Sequence, residues 1–292
     1  MTSFADFGLP TPVVRELSRQ GIDSPFPIQP APLPDSRQGR DVLGRGRTGA
    51  GKTLACSLPT VARQSWAKSS RHPRRPRALV LCPTRELANQ INATMEPVAK
   101  ALGLVTTTIF GGVAQSRQVA ALDKGADIVI ACPGRLEDLL NQRLLTLDGI
   151  EITVLDEADH MADLGFLPGV KRIMDKTPKQ AQRILISTTL DHGDDQLVKR
   201  ELSNPVRHSV DDAAAAPPQM THHILAVRDA DAKKQIVHEL ASGTGRRVLF
   251  MRTKHQAKKL AKQLPAAGVP AVALPGTLGP GARERHLAAV SS

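Results

Sequence analysis

Short apolar segments alternate with amphipathic helical patterns along most of this chain. Strand-like runs occupy residues 78–82, 105–110, 127–131, 152–155 and 183–187. Between the first two runs, apolar residues recur at helical spacing at positions 87, 91, 95, 98 and 102, which marks one buried face of a helix. Strands that alternate with helices form a parallel sheet covered by helices on both faces. The sequence therefore predicts an α/β fold.

The length and a change in composition indicate two domains. The chain has 292 residues, more than the roughly 100 to 200 residues of one ordinary domain. Residues 211–218 read DDAAAAPP, a small-residue and proline-rich stretch typical of a linker. Beyond it, strand-like runs at 221–227, 247–251 and 271–274 alternate with helical patterns at 232–240 and 255–264. We predict a first domain over 1–210, a linker over 211–218 and a second α/β unit over 219–292.

The charge of the chain favours a polyanionic partner. The formal net charge is +11, which suits nucleic acid, although such an excess also arises from solubility alone. Aromatic residues make up only 2% of the sequence and tyrosine is absent. Base stacking on aromatic platforms is therefore disfavoured, and contacts to sugar and phosphate are expected instead.

Cysteine content and the N-terminal sequence bear on the compartment. The three cysteines are not spaced as a disulfide framework or a zinc site. The N-terminal sequence MTSFADFGLP lacks a basic flank and an apolar stretch, and the chain has no apolar run long enough to span a membrane. We expect a cytoplasmic protein.

A glycine-rich loop is the first feature that carries chemistry. Residues 46–53 read GRTGAGKT, between a strand-like piece at 41–44 and a helical segment at 54–61. This strand-loop-helix context fits the phosphate-binding P-loop, in which backbone N–H groups and a lysine hold phosphates and a hydroxyl ligates Mg²⁺. The alternative is a chance glycine-rich turn. The predicted phosphate-binding residues are Thr48, Gly49, Ala50, Gly51, Lys52 and Thr53.

An acidic quartet follows a later apolar strand. Residues 154–159 read VLDEAD, so the strand delivers Asp156 at its carboxyl end, where ligands bind in open α/β sheets. Asp156 can hold Mg²⁺, and Glu157 can orient and deprotonate an attacking water. Alone, such a quartet is more often a solvated turn. Together with the P-loop, it predicts Mg²⁺-dependent phosphoryl chemistry with Lys52, Asp156 and Glu157 as the catalytic residues.

The P-loop and the quartet at 156–159 together resemble the DEAD-box ATP-dependent RNA helicases. Residues 83–88 (PTRELA), the doublet at 111–112 and residues 21–29 (GIDSPFPIQ) with Phe4 upstream match further blocks of that family in order. The resemblance implies a RecA-like P-loop NTPase domain with helices on both faces of a parallel sheet, followed by an incomplete second RecA-like domain. It also implies RNA-stimulated ATP hydrolysis coupled to RNA duplex remodelling.

Residues 4–29 are similar to the adenine-reading Q motif of the family. The Gln29 amide offers a donor and an acceptor to adenine, and Phe4 offers an apolar face to the ring. Taken singly, Gln29 could instead be a surface glutamine and Phe4 a core phenylalanine.

The resemblance also assigns RNA-contacting and coupling residues. The implied RNA contacts are to sugar and phosphate, independent of base sequence, through Thr84, Arg85, Gly111, Gly112, Gly134, Arg135, Arg252 and Thr253. Ion pairing at a helix start is the alternative for Arg135. Coupling between the ATP and RNA sites is assigned to Asp159, Ser187 and Thr189. Three departures from the family are Cys132, where T-P-G-R has threonine, Thr188, where S-A-T has alanine, and Gly46, where the P-loop usually begins with alanine. The change at Gly46 is expected to be tolerated. Two basic segments are by default interpreted as solvated charged surface; the alternative is that they add affinity for RNA. They are residues 68–77 and the helix with Lys254, Lys258, Lys259 and Lys262.

Two later family blocks, T-D-x-x-x-R-G and H-R-x-G-R-x-x-R, do not occur in the 292 residues. Residues 275–283 resemble the preceding block, H-G-D-x-x-Q-x-x-R, with changes at Pro275, Thr277 and Pro280. We therefore expect a second domain truncated at its C-terminal side. In the family, the H-R-x-G-R-x-x-R block supplies the arginines that face the γ-phosphate. Because an arginine finger contributes roughly 10³ to 10⁵ in rate, we expect only residual hydrolysis and impaired unwinding without this block. The alternative function is a truncated Mg-ATP and RNA binding module without helicase activity.

Overall fold

The computed structural model describes residues 3–26, 29–46, 51–66, 70–187, 192–209, 221–276, 278 and 280–291. The chain divides into two compact units, Met1–Ala213 and Ala214–Ser292. The predicted linker at 211–218 lies outside the described residues. None of the helices in the described ranges combines the length and the apolar character that a membrane crossing requires.

The first unit is built on one seven-stranded sheet whose paired strands all run parallel. The strands lie in the order β3-β4-β2-β5-β6-β1-β7. Their bounds are β1 Val42–Arg45, β2 Ala78–Leu81, β3 Thr106–Ile109, β4 Ile128–Ala131, β5 Ile152–Asp156, β6 Gln182–Ser187 and β7 Val206–Ser209. The predicted α/β, RecA-like architecture of the first domain is confirmed.

Nine α-helices and a short 3-10 helix at Phe4–Phe7 are described in the first unit. The α-helices are α1 Thr11–Arg19, α2 Leu33–Arg37, α3 Lys52–Trp66, α4 Arg85–Lys100, α5 Gln115–Asp123, α6 Pro133–Asn141, α7 Ala158–Asp163, α8 Leu167–Met174 and α9 His192–Glu201. The helices predicted at 54–61 and around 87–102 are α3 and α4.

The sheet separates two hydrophobic cores. Alternate residues of a strand point to opposite faces, and in β2 Val80 belongs to one core and Leu79 to the other. Helices α1, α3 and α4 cover the first core, whereas α5 to α9 cover the second. The central strands are buried on both faces, which explains why β2, β4 and β5 read as nearly continuous apolar runs.

The edge strand β7 was not predicted. Its sequence, VRHS, contains one apolar residue, and its side chains are only half-buried or exposed. Pairing with β1 and the contact of His208 Nε2 with Asp35 Oδ2, 2.7 Å apart, hold it in place. A strand fixed by neighbours rather than by its own apolar pattern leaves little signal in the sequence.

The second unit contains α10 Ala230–Ala241, α11 Lys254–Ala266 and α12 Pro280–Ser291. The first two correspond to the predicted helices at 232–240 and 255–264. The strands predicted at 221–227, 247–251 and 271–274 are not formed, because in the described part of this unit no residue is assigned to a strand. Ile224 and Phe250 are more than nine-tenths exposed, whereas Leu264 is buried. These apolar runs lack a packed face to bury them, and an unpaired strand is not stable on its own.

Candidate functional site

The carboxyl edge of the sheet brings the P-loop and the acidic quartet together. Strand β6 lies between β1 and β5, so the ends of these three strands are side by side. Arg45 pairs with Ser187, and Asp156 pairs with Ile186. The Gly46 N–H donates to the Ser187 carbonyl over 3.3 Å. Residues far apart in sequence therefore share one edge, as the sequence analysis expected.

Lys52 is the first residue of α3 and is 9% exposed. Its Nζ has no hydrogen-bond partner within the part of the chain that the structure describes. The charge of Lys52 lowers the pKa of the Asp156 carboxyl, so the two groups interact electrostatically at this edge. Leaving a buried polar group without a hydrogen-bond partner carries a desolvation cost. An anionic ligand at this edge would remove that cost.

Asp156 ends β5 and is 2% exposed. Burial raises the pKa of its carboxyl from 3.8 to about 6; Lys52 opposes the rise, and the neighbouring charges of Glu157 and Asp159 add to it. The Glu157 N–H donates to Asp156 Oδ1 over 3.0 Å. A cation bound here would favour the ionised carboxylate, so the donor chemistry fits Mg²⁺.

Glu157 holds a left-handed backbone conformation, with φ 53° and ψ 52°, at the start of α7. This conformation costs about 1 to 3 kcal/mol for a residue other than glycine, and such conformations concentrate at functional sites. Its Oε2 lies 3.3 Å from His160 Nδ1. His160 was not predicted from the sequence. It comes close to Glu157 only because the chain turns into α7 between the two residues.

Gly51 and Gln29 are in contact at the end of the P-loop. Gly51 has φ +83°, and a Cβ atom there would overlap Gln29 Nε2. Gln29 is buried, and its Oε1 accepts the Phe26 N–H over 2.9 Å. Glycine is thus required at position 51 by both its backbone conformation and the closeness of Gln29.

The two phenylalanines of the candidate adenine region differ in exposure. Phe4 is 1% exposed and belongs to the hydrophobic core with Leu9 and Val13. Its contact with adenine stays a prediction. Phe26 is 59% exposed, and its Cδ2 is 3.3 Å from the position of a Cβ on Gly51. Phe26 lies inside the stretch GIDSPFPIQ but was not among the predicted site residues.

The loops that follow β2, β3 and β4 form the other half of the same edge, since these strands are neighbours. Arg85 Nη1 donates to the Gly111 carbonyl over 3.2 Å, and Arg135 Nη1 to the Val113 carbonyl over 3.4 Å. Thr84 begins α4, and its hydroxyl accepts the backbone N–H of Leu87 over 3.2 Å. Two guanidinium groups therefore join the three loops into one surface.

Glycines leave part of this surface without side chains. Apart from their chain neighbours and the adjoining helical backbone, no described residue places an atom within 4 Å of a Cβ added at Gly111 or Gly134. Packing within the chain does not require glycine at these two positions, so their bare backbone is open to a ligand. Gly112, with φ +80°, is instead required by its backbone conformation.

The remaining candidate residues lie as follows. Thr53 is the second residue of α3, Ser187 is buried at the end of β6, and Asp159 is in the first turn of α7. In the second unit, the Thr253 hydroxyl accepts the Gln256 N–H at the start of α11, and Arg252 is exposed. Predicted residues that fall outside the described residues are Thr48, Gly49, Ala50, Thr188, Thr189 and Thr277.

Of the basic segment at 68–77, the structure describes residues 70–77, which lie at the opposite edge, next to the amino ends of the strands. Arg71 Nε donates to Asp127 Oδ2 over 2.7 Å, and Arg75 Nε to Asp148 Oδ2 over 3.2 Å. Arg74 pairs with Asp123. These arginines are exposed and pair with acidic residues of their own unit, in keeping with solvated charge, and they are not part of the edge described above.

Comparison with known proteins gives a consistent set of relatives. The family model described as "DEAD/DEAH box helicase" matches residues 26–197. The chain is 37% identical to "DEAD-box ATP-dependent RNA helicase 3A, chloroplastic" of Zea mays, over 98% of the chain and 39% of that protein. It is 33% identical to "ATP-dependent rRNA helicase RRP3" of Mycosarcoma maydis, over 96% of the chain and 49% of that protein. The chain thus spans less than half the length of these relatives.

Among solved structures, the chain is similar to a DEAD box protein from the hyperthermophile Methanococcus jannaschii. The TM-score is 0.67 at 26% identity, and the alignment covers 100% of this chain and 77% of the other.

Proposed function

Because the chain belongs to the DEAD/DEAH box helicase family, we propose that it binds ATP with Mg²⁺ and hydrolyses ATP in response to RNA, coupled to RNA duplex remodelling. One observation carries the nucleotide part of this proposal. The buried Lys52 ammonium, without a hydrogen-bond partner in the described chain, interacts electrostatically with the buried carboxyl of Asp156. A phosphate group with its cation satisfies both.

The chain's own groups would each take one part of the nucleotide. The P-loop backbone and Lys52 bind the phosphates, whereas Gln29, held against Gly51, reads the adenine edge. Phe4 is the ring that the family resemblance implies, and the exposed Phe26 is a second aromatic face near the loop. When bound, Mg²⁺ would be held by Thr53 and Asp156 and would offset the charge of the phosphates.

Glu157 would act on the attacking water. It orients the water and accepts its proton, while its left-handed backbone fixes where the strand turns into α7. His160, 3.3 Å from the Glu157 carboxylate, restrains that side chain. Asp159, Ser187 and Thr189 would couple this centre to the RNA surface.

RNA would bind along the surface formed by the loops after β2, β3 and β4. The residues proposed to contact it in the first unit are Thr84, Arg85, Gly111, Gly112, Gly134 and Arg135, and in the second unit Arg252 and Thr253. Guanidinium groups, a hydroxyl and bare backbone suit sugar and phosphate rather than base edges. Binding of this kind is independent of base sequence and weakens with salt.

A cytoplasmic location is also a proposal. Relatives include proteins named as chloroplastic and mitochondrial, so family membership leaves the compartment open.

The proposed function is tested by phosphate release from ATP under single-turnover conditions, with protein in excess and with or without single-stranded RNA. We expect release that rises with RNA and is lost in Glu157→Gln, while ATP binding by that variant persists. The matched control is Glu137→Gln, a change of the same kind on α6, where Glu137 pairs with Arg172 and is not one of the residues proposed to bind ATP. ATP binding without any RNA-stimulated release by the parent protein would instead identify a nucleotide- and RNA-binding module.

A further inference from the structure

We propose that Cys82 and Cys132 form an oxidation-sensitive dithiol, which a hydroperoxide converts into a disulfide that links two of the candidate RNA loops. Both residues directly follow strands of the sheet, Cys82 after β2 and Cys132 after β4. Cys82 precedes the loop residues Thr84 and Arg85. Cys132 precedes Gly134 and Arg135, at the position where the family motif has threonine.

The register of the sheet places the two cysteines side by side. Leu81 pairs with Ala131, and the Cys82 N–H continues the ladder by donating to the Ala131 carbonyl over 3.0 Å. Neighbouring strands lie about 4.8 Å apart, inside the roughly 4.4 to 6.8 Å that a disulfide requires between Cα atoms. Equal register in a parallel pair also turns both side chains to one face. Accordingly, Cys82 belongs to the first core and Cys132 packs against that same core.

The surroundings divide the roles between the thiols. Cys132 is half-buried and begins α6, a nine-residue helix. The hydrogen bond with Cys82 lowers the pKa of Cys132, Arg85 adds to this effect, and burial and Glu86 oppose it. The same hydrogen bond, together with burial and the charges of Asp156 and Glu157, raises the pKa of Cys82. Cys132 is therefore the thiol that attacks the oxidant, and Cys82 is the resolving thiol.

The reaction balances with a hydroperoxide as the only co-reactant. The Cys132 thiolate attacks the terminal peroxide oxygen, so an S–O bond forms and the O–O bond breaks. The leaving alkoxide takes up a proton as an alcohol or, when the oxidant is hydrogen peroxide, the leaving hydroxide takes up a proton as water. The Cys82 sulfur then attacks the sulfenic sulfur, so the S–S bond forms, the S–O bond breaks and the leaving hydroxide takes the Cys82 proton as water. Two thiols are oxidised, and the peroxide is reduced.

The disulfide would alter the RNA surface, a consequence that rests on the proposed function. Cys82 Sγ now lies 3.7 Å from the Thr84 carbonyl and 3.8 Å from the Ala131 carbonyl. A disulfide with Cys132 would move the Cys82 sulfur away from these two carbonyls. It would also link the loop after β2 to the loop after β4. Displacing one guanidinium from its phosphate reduces RNA affinity by about tenfold, the effect of one charge-assisted hydrogen bond.

The test of the dithiol is peptide mapping of the 292-residue protein after exposure to hydrogen peroxide. Trypsin releases Cys82 in residues 78–85, Cys132 in 125–135 and Cys56 in 53–63. We expect the first two peptides to be linked and the third to stay a free thiol, because Cys56 is fully buried in α3. In Cys82→Ser, a dimedone-trapped sulfenic acid is expected on Cys132; in Cys132→Ser, no linkage forms. Linkage only between molecules, or oxidation of Cys56 before Cys132, would overturn the proposal.

The second readout is affinity for single-stranded polyuridine, measured on reduced and oxidised protein. The loss on oxidation is expected to be reversed by a dithiol reductant and to be absent in Cys132→Thr, each protein being compared with its own reduced form. An oxidised, linked protein with undiminished affinity would refute the effect on RNA. If the reduced protein does not bind polyuridine at all, the proposed function fails, whereas the peptide map still decides on the dithiol.

Discussion

Replacing Asp156 with asparagine is expected to stabilise the ligand-free protein while it removes the cation ligand. Asparagine resembles the protonated carboxyl, and it keeps an oxygen that can accept the Glu157 N–H. Burial raises the pKa of Asp156 from 3.8 to about 6 in the folded chain. At 1.36 kcal/mol for each pKa unit, the ionised carboxylate reduces folding stability at pH 8 by about 3 kcal/mol, the amount that the variant gains.

The gain depends on pH with a definite sign. Between pH 4 and pH 6 the folded protein binds a proton at Asp156 that the unfolded chain does not hold, so acidification stabilises the parent protein through this group. The advantage of Asp156→Asn therefore declines as the pH falls through 6, to less than about 1 kcal/mol near pH 4. For a unit of this size, 3 kcal/mol corresponds to roughly 6 to 12 °C in melting temperature.

Thermal unfolding of both proteins at pH 8 and at steps down to pH 5 measures this difference. Asp127→Asn is the matched control, because Asp127 is equally buried but accepts from Arg71 and from the Val105 N–H. Loss of that paired carboxylate is expected to destabilise by on the order of 2 kcal/mol or more. A melting temperature of Asp156→Asn at or below that of the parent at pH 8, or a gain that does not change with pH, would show that the ionised Asp156 carboxylate does not destabilise the folded protein.

Three further predictions concern the same edge of the sheet. Because a proton competes with Mg²⁺ for Asp156, the Mg²⁺-dependent part of the ATP affinity is expected to fall by up to about tenfold for each pH unit below 6. Titration calorimetry measures this affinity, and an affinity that does not change between pH 5 and 7 would contradict the prediction. Gly51→Ala is expected to lower stability by about 1 kcal/mol or more and to weaken ATP binding, because alanine is strained at φ +83° and its Cβ would overlap Gln29. Gly134→Ala is expected to leave the melting temperature unchanged or higher, since its surroundings in the described chain are open, and to weaken RNA binding in a filter assay; unchanged RNA affinity would remove Gly134 from the surface.

The sheet of the first unit was predictable because its central strands are buried on both faces. Such strands are almost purely apolar, so Ile128–Ala131 and Ile152–Asp156 stand out in the sequence to within a residue or two. The edge strand Val206–Ser209 was not predicted, because pairing with its neighbour stabilises it and its composition does not. In the second unit the same apolar signal at 247–251 predicted a strand wrongly, since a strand also requires a neighbour to pair with.

The site was predictable where a residue type is tied to a motif, and not where the tertiary structure sets its environment. The P-loop sequence indicated Lys52, but only the structure shows that its ammonium is buried without a hydrogen bond among the described residues. The pairing of Cys82 with Cys132 depends on strand order, because β4 neighbours β2 although β3 precedes it in the chain. Spacing along the sequence contains no information on that adjacency.

The buried ammonium of Lys52 is expected to be a preformed phosphate site. Calorimetric titration of ATP with Mg²⁺ into the parent protein and Lys52→Ala, each first shown to be folded by its melting transition, tests this role. The parent is expected to bind ATP and the variant to bind at least about tenfold more weakly, a loss of ~1.4 kcal/mol or more. Equal affinity of the two proteins for ATP would show that Lys52 is not a phosphate site.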